Sequence, residues 1–200
     1  MGWKITMNDK YKLIALFGPA GSGKDYIKWH LINSLWGKTH LHNIVPYTTR
    51  PPREGEIDGV YYNFIPTAAE FFKGNNLLKW IEFTSFKDWW YGTSIESLDK
   101  NKINIGIFNI DGIKQILQNE NIECIPLYIT CPSQTRLIRQ LTREENPNVD
   151  EIIRRYLADQ KDFLNIPFSY YVIENNTDEV QPIVKEIIFD YALLFDERAK

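Results

Sequence analysis

At 200 residues, with 44% hydrophobic and 24% charged side chains, the chain is predicted to form one compact domain burying roughly 70% of its unfolded surface, which excludes wholesale disorder. A net charge of −3, and no apolar run near the roughly 20 residues a bilayer demands, speak against nucleic acid and membranes as partners. With no charged-then-apolar leader and only two cysteines, Cys124 and Cys131, the sequence reads as cytoplasmic rather than secreted.

In chain order, residues 1–10 form a mixed polar stretch, read as a loosely held tail. The run 12–17 is continuously apolar, the mark of a strand buried on both faces. A glycine-rich turn over 18–23 follows. Ile27, Leu31 and Leu35 recur four apart, predicting a helix over 24–36. A strand is predicted over 43–47, and a proline- and glycine-broken loop over 48–56. From 60 to 91 the texture changes to short aromatic runs, 60–65 and 77–83, that alternate like strands of a small antiparallel sheet. Strand–helix alternation then resumes. Strands are expected at 103–110 and 124–130, helices from 111 and after Pro132-Ser133, and a further helix over 150–164. A short strand at 170–173 and a helix over 178–194 close the order, with Pro182 tolerated in the helix's first turn. This alternation predicts an α/β fold, a parallel sheet with an aromatic insert.

Three stretches carry chemistry. Gly18-Pro19-Ala20-Gly21-Ser22-Gly23-Lys24 fits G-x-x-x-x-G-K between a strand and a helix. Such a loop curls its backbone N–H groups around a nucleotide's β-phosphate, and the lysine reaches the β- and γ-phosphates. Asp25 stands where a hydroxyl is expected. It is read either as a ligand for a hard cation or as an acid favoured by the helix's first turn. Second, seven of the eight arginines fall in two short stretches, and Arg50 and Arg53, braced by Pro51 and Pro52, read either as a rigid anion clamp or as a basic turn. Third, Arg136, Arg139 and Arg143 share a helix face, followed by Arg154 and Arg155. These serve an anionic ligand or are neutralised by Glu144, Glu145 and Glu151. His30, His40 and His42 have no zinc-binding spacing.

Gly18–Lys24, the loop Thr48-Thr49-Arg50-Pro51-Pro52-Arg53-Glu54-Gly55-Glu56-Ile57-Asp58-Gly59, Tyr91-Gly92-Thr93-Ser94, Ile110-Asp111 and the set Arg139, Arg143, Arg155 resemble guanylate kinases, in the same order and over about residues 12–190. The resemblance implies a P-loop NTPase fold in a single domain over 1–200. A parallel core sheet flanked by helices would take about 11–46, 103–135 and 165–196. A small β-rich insert binding the nucleoside monophosphate would span about 47–95, and a helical lid about 139–156. It further implies Mg²⁺-assisted transfer of the ATP γ-phosphoryl to a nucleoside 5′-monophosphate, GMP or dGMP first, giving the diphosphate. Carried over by position, Lys24, Arg139, Arg143 and Arg155 act on the transferring group. Gly18, Pro19, Ala20, Gly21, Ser22, Gly23, Lys24, Asp25 and Asn175 hold ATP, with Asp25 at the metal. Arg50, Arg53, Tyr62 and Tyr91 hold the acceptor phosphate, and Lys79, Thr93 and Asp111 fall at the base.

The departures are local. Lys79 replaces the glutamate that reads guanine, Pro46 replaces a serine at the acceptor phosphate, and Asn109 replaces an aspartate. Three extra residues lengthen the segment before Tyr91. A lysine offers only donors to guanine's N1–H and N2–H₂, so relaxed base selectivity is expected. Two other readings stay open: a kinase of this family for another nucleotide or a ribose bisphosphate, and a noncatalytic protein-binding module. The intact glycine loop and arginine stretches speak against the second. Oligomeric state is not legible.

Overall fold

A computed structural model describes residues 10–53, 55–73, 79–176 and 179–197. The apolar run of strand β1 (Tyr11–Phe17) lies at the centre of a five-stranded sheet. Leu13 to Phe17 are fully buried, because both faces of the strand are covered. The order is β2 (Leu41–Asn43), β7 (Ile103–Ile107), β1, β8 (Ile122–Thr130), β9 (Tyr171–Glu174), and every pairing is parallel. Alternation along β1 divides the core in two. Ile14 and Leu16 pack with Ile27 and Leu31 of α1 (Lys24–Asn33) and with Val180, Ile183 and Val184 of α7 (Val180–Glu186). Leu13, Ala15 and Phe17 pack on the other face with Ile113 and Ile116 of α4 (Ile110–Leu117).

The helix expected over 24–36 divides at Ser34. Its ψ of 157° ends α1, and its hydroxyl accepts from Gly37 N at 2.9 Å to start α2 (Leu35–His40). Serine competes for backbone partners this way and favours caps over helix interiors. The strand expected over 43–47 also divides. Ile44 N–H closes the core ladder on Ile105 O, and Pro46 has no N–H to continue it. The chain then crosses into a second sheet as β3 (Tyr47–Thr48).

That sheet runs β4 (Asn63–Phe64), β3, β6 (Trp89–Ser94), β5 (Trp80–Phe86). It is mixed rather than purely antiparallel, since β3 and β4 run parallel. The first part of the strand expected over 77–83 lies outside the described residues, as does the tail expected over 1–10 apart from Lys10. Phe71 of the short helix α3 (Ala68–Phe71) stacks on Trp80, with ring centroids 4.2 Å apart, and Phe72 and Phe83 meet Trp90. The aromatic texture is thus the insert's own small core. A helical hairpin, α5 (Ser133–Leu141) and α6 (Val149–Asp162), carries the second arginine stretch. The closing helix is broken by a π-helical turn over Ile187–Ala192 before α8 (Leu194–Glu197). Among the described residues, no helix is long and apolar enough to cross a membrane.

Candidate active site

The loop between β1 and α1 has left-handed φ at Gly21 and Gly23, 77° and 92°. A Cβ on Gly21 would lie 2.7 Å from Arg136 O, and one on Gly23 would lie 2.3 Å from Asn175 Nδ2. Both glycines are therefore required by conformation and by close approach. Lys24 folds back over the loop, its Nζ donating to Gly18 O at 2.7 Å and Pro19 O at 2.9 Å. Burial pushes its ammonium below the ordinary lysine range, assisted by the Arg136 charge and opposed by Asp25 and Asp159. Asn175 Nδ2 donates to Ser22 O at 2.8 Å. Arg139 Nη1 reaches Cys131 Sγ and lies 3.7 Å from where a Gly23 Cβ would stand. Lys24, Arg139 and Asn175 therefore gather at the glycine loop. Asp25 is exposed on the first turn of α1, beside a cavity also lined by Lys28, Tyr62 and Thr93.

Across the cleft the arginine-proline loop is held by Glu56. Arg50 is only 5% exposed. Its Nη2 donates to Glu56 Oε1 at 2.9 Å and its Nη1 to Pro51 O at 2.7 Å. The guanidinium lies over the rings of Tyr62 (5.4 Å) and Phe64 (5.8 Å). The other Glu56 oxygen accepts from Arg53 N. The bond from Arg50 holds the Glu56 carboxyl below the usual range. Tyr62 and Tyr91 stand edge to face at 6.1 Å. One carboxylate thus presets the whole clamp, a role that sequence inspection did not assign.

Beside the clamp is a cavity of about 330 Å³ lined by Pro46, Tyr62, Glu82, Tyr91 and Asn109 among others. Lys79 does not reach it. Its exposed ammonium pairs with Glu96, beside Tyr47 and Trp80. Asp111 also points away, its side chain 71% exposed and bonded to Lys114 at 2.9 Å. In their place stand Glu82 and Asn109. A register shift in β5 between Trp80 and Glu82 sets Glu82 opposite Thr93 and buries it to 7% exposure. Burial pushes its carboxyl up to about 7. The buried Thr93 hydroxyl faces the carboxyl from the neighbouring strand and opposes this rise through a side-chain hydrogen bond. Gly112, in the first turn of α4, makes room for the carboxylate, since a Cβ there would lie 3.0 Å from Glu82 Oε2. Asn109 caps α4 by accepting from Gly112 N at 2.7 Å. A sequence signal for Glu82 did exist. The three extra residues counted before Tyr91 equal the step from 79 to 82, so a glutamate matches once the register moves by three.

On the side of the helical hairpin, Arg136 is buried and sends Nη1 toward Ala20 O while its guanidinium lies over Tyr156. Arg154 and Arg155 both bind Glu151, at 2.7 and 2.8 Å, which holds that carboxyl down at about 2. Arg143 is exposed. Arg143 and Arg155 are thus not brought to the glycine loop, whereas Arg136 is.

A family model described as guanylate kinase matches residues 10–191. The guanylate kinase of Helicobacter pylori strain J99 is 28% identical over 186 residues, covering 90% of this chain and 88% of its own. That of Zymomonas mobilis is 30% identical over 184 residues, covering 88% and 82%. The crystal structure of guanylate kinase from Anaplasma phagocytophilum superposes with a TM-score of 0.63 at 17% identity, over 96% of this chain and 87% of that one.

Proposed function

Since the chain belongs to the guanylate kinase family, we infer that it transfers the γ-phosphoryl group of ATP to GMP or dGMP, giving ADP and the nucleoside diphosphate. The observation that carries the choice of base is Glu82, a carboxylate buried in the cavity next to the Arg50 clamp. Guanine presents N1–H and N2–H₂ on one edge, and a carboxylate accepts from both. Adenine offers an acceptor at N1 and would face the carboxylate unfavourably. The base reading belongs to Glu82, with Thr93 and Asn109 beside it, and not to Lys79 or Asp111. This favours a strict guanine preference over the relaxed one expected from Lys79.

The acceptor phosphate is already ionised, so transfer needs no general base. What it needs is in-line placement and neutralisation of charge on the moving group. Arg50, Arg53, Tyr62 and Tyr91 hold the acceptor phosphate. The glycine loop and Lys24 hold the β- and γ-phosphates, and Arg139 with Asn175 borders the adenine end. Arg143 and Arg155 reach the moving group when the hairpin closes, which also excludes water. Mg²⁺ fits Asp25, a hard oxygen donor in the first turn after Lys24. No cluster of three or more acidic, histidine or cysteine side chains occurs among the described residues, and Asp25 is the side chain that would hold the ion. When bound, the ion offsets charge on the β- and γ-oxygens. Free Cys124 and Cys131 fit a reducing cytoplasm.

The test is ADP release, coupled to an indicator enzyme, with each of the eight common ribo- and deoxynucleoside monophosphates. GMP and dGMP should exceed every other acceptor by at least about a hundredfold in kcat/KM, since a site built on paired hydrogen bonds rejects bases that leave them unmade. Comparable turnover of AMP or dTMP would refute the base assignment, and no turnover of any acceptor would refute the activity.

A further inference from the structure

Asp159 is an acidic side chain in hydrogen-bond contact with the glycine loop. It sits near the end of α6 with its side chain 17% exposed. Its Oδ2 accepts from Ala20 N at 2.7 Å and lies 3.7 Å from Arg136 Nη1. Burial raises its carboxyl, against the pull of the Ala20 N–H and of the Lys24 and Arg136 charges. Arg136 Nη1 and Gln140 Nε2 approach the carbonyl oxygen of the same Ala20. One residue of the loop is therefore gripped through its N–H by α6 and through its C=O by α5. Phe163, directly after α6, packs on Phe17 and Tyr128 at the end of the sheet and anchors this part of the hairpin.

The charges here conflict. A nucleotide brings its phosphates against Lys24 and the loop's rim, and a carboxylate on that rim repels them. Arg155 lies four residues earlier on α6, one helical turn and about 6 Å along the axis, on the same face. The helix that now offers an anion to the rim thus carries the cation proposed for transfer. We infer that Asp159 is a positioning residue that keeps the lid helix parked on the glycine loop, and that the γ-phosphate of ATP displaces it, so that the nucleotide itself frees the helix to turn Arg155 onto the transferring group as the hairpin closes. This rests on the reading of the loop as the ATP site.

The test is calorimetric titration of ATP and ADP into the full chain and into its Asp159→Asn and Asp159→Ala variants, in parallel with KM for GMP. Both variants should bind ATP about three- to tenfold more tightly, the scale of one removed charge contact. ADP, lacking the third phosphate, should change less than about twofold, and KM for GMP should hold. Damage to the fold weakens binding, so it cannot imitate a gain. Unchanged or weaker ATP binding in both variants would overturn the inference, and equal tightening for ADP would overturn the assignment to the γ-phosphate. If the unaltered chain bound no ATP, the reading of the loop itself would fall, and this one with it.

Discussion

Replacing Glu82 by glutamine should move stability and activity in opposite directions. The carboxyl is lifted by burial from 4.5 to about 7, so the folded chain disfavours its ionised form. The sign follows from linkage: a raised carboxyl leaves stability unaffected below the unfolded value and costs progressively more as pH climbs toward 7. Above pH 7 the cost levels near about 3 kcal/mol, an upper figure from the size of the lift. Glutamine has nothing to ionise. Glu82→Gln should therefore match the parent in stability near pH 4 and exceed it at pH 8, by up to roughly 6–12 °C in Tm for a domain of this size. Its amide supplies one acceptor where guanine needs two, so kcat/KM for GMP should fall about 10- to 100-fold through one lost charge-assisted bond worth about 1.5–3 kcal/mol. The pH profile separates this role from a packing role. In the parent, kcat/KM for GMP should rise through about pH 7 as Glu82 ionises, and in the variant that rise should vanish. Thermal melts at pH 4 and 8, with initial rates from pH 5.5 to 9, measure all three effects. A variant that keeps full GMP activity, or a rise that persists in it, would show that Glu82 does not read the base.

Three other substitutions test the remaining parts of the site. Lys24→Ala should lower kcat at least about a hundredfold with an unchanged circular dichroism spectrum, because the ammonium acts on developing charge; turnover within tenfold of the parent would refute its role. Arg50→Ala should raise KM for GMP about 10- to 100-fold and leave KM for ATP nearly unchanged, while the melting point falls because Glu56 loses its partner; an effect on ATP alone would mean that the two nucleotide sites have been exchanged. Lys79→Glu should leave the GMP-to-AMP ratio of kcat/KM within about twofold, since that side chain pairs with Glu96 at the surface and rim charges act weakly; a larger change would return Lys79 to the base pocket.

Features built from contiguous residues were legible in the sequence. The apolar run of β1, the glycine spacing over 18–23 and Lys24 are set by one strand, one turn and one helix start, and their physics is local. The proline-braced pair Arg50 and Arg53 was legible for the same reason. The aromatic insert showed its presence but not its pairing, because the parallel contact of β3 with β4 joins residues that the chain separates by a long loop. That Lys79 lies outside the cavity beside the clamp, and Glu82 inside it, has a related cause. Whether Lys79 or Glu82 faces the cleft depends on strand register, and a single irregularity between Trp80 and Glu82 exchanges faces for everything beyond it. Asp111 is carried over by position alone, and the turn into α4 spends Asn109 on a cap at the cavity and aims Asp111 at solvent. The grip of Asp159 on Ala20, 139 residues away along the chain, has no local signature. It exists because β8 lies beside β1 and the hairpin that follows β8 therefore folds back over the loop that follows β1. Sequence decides what each segment can form; which side chains then share one space is decided by packing between segments whose order along the chain carries no distance information.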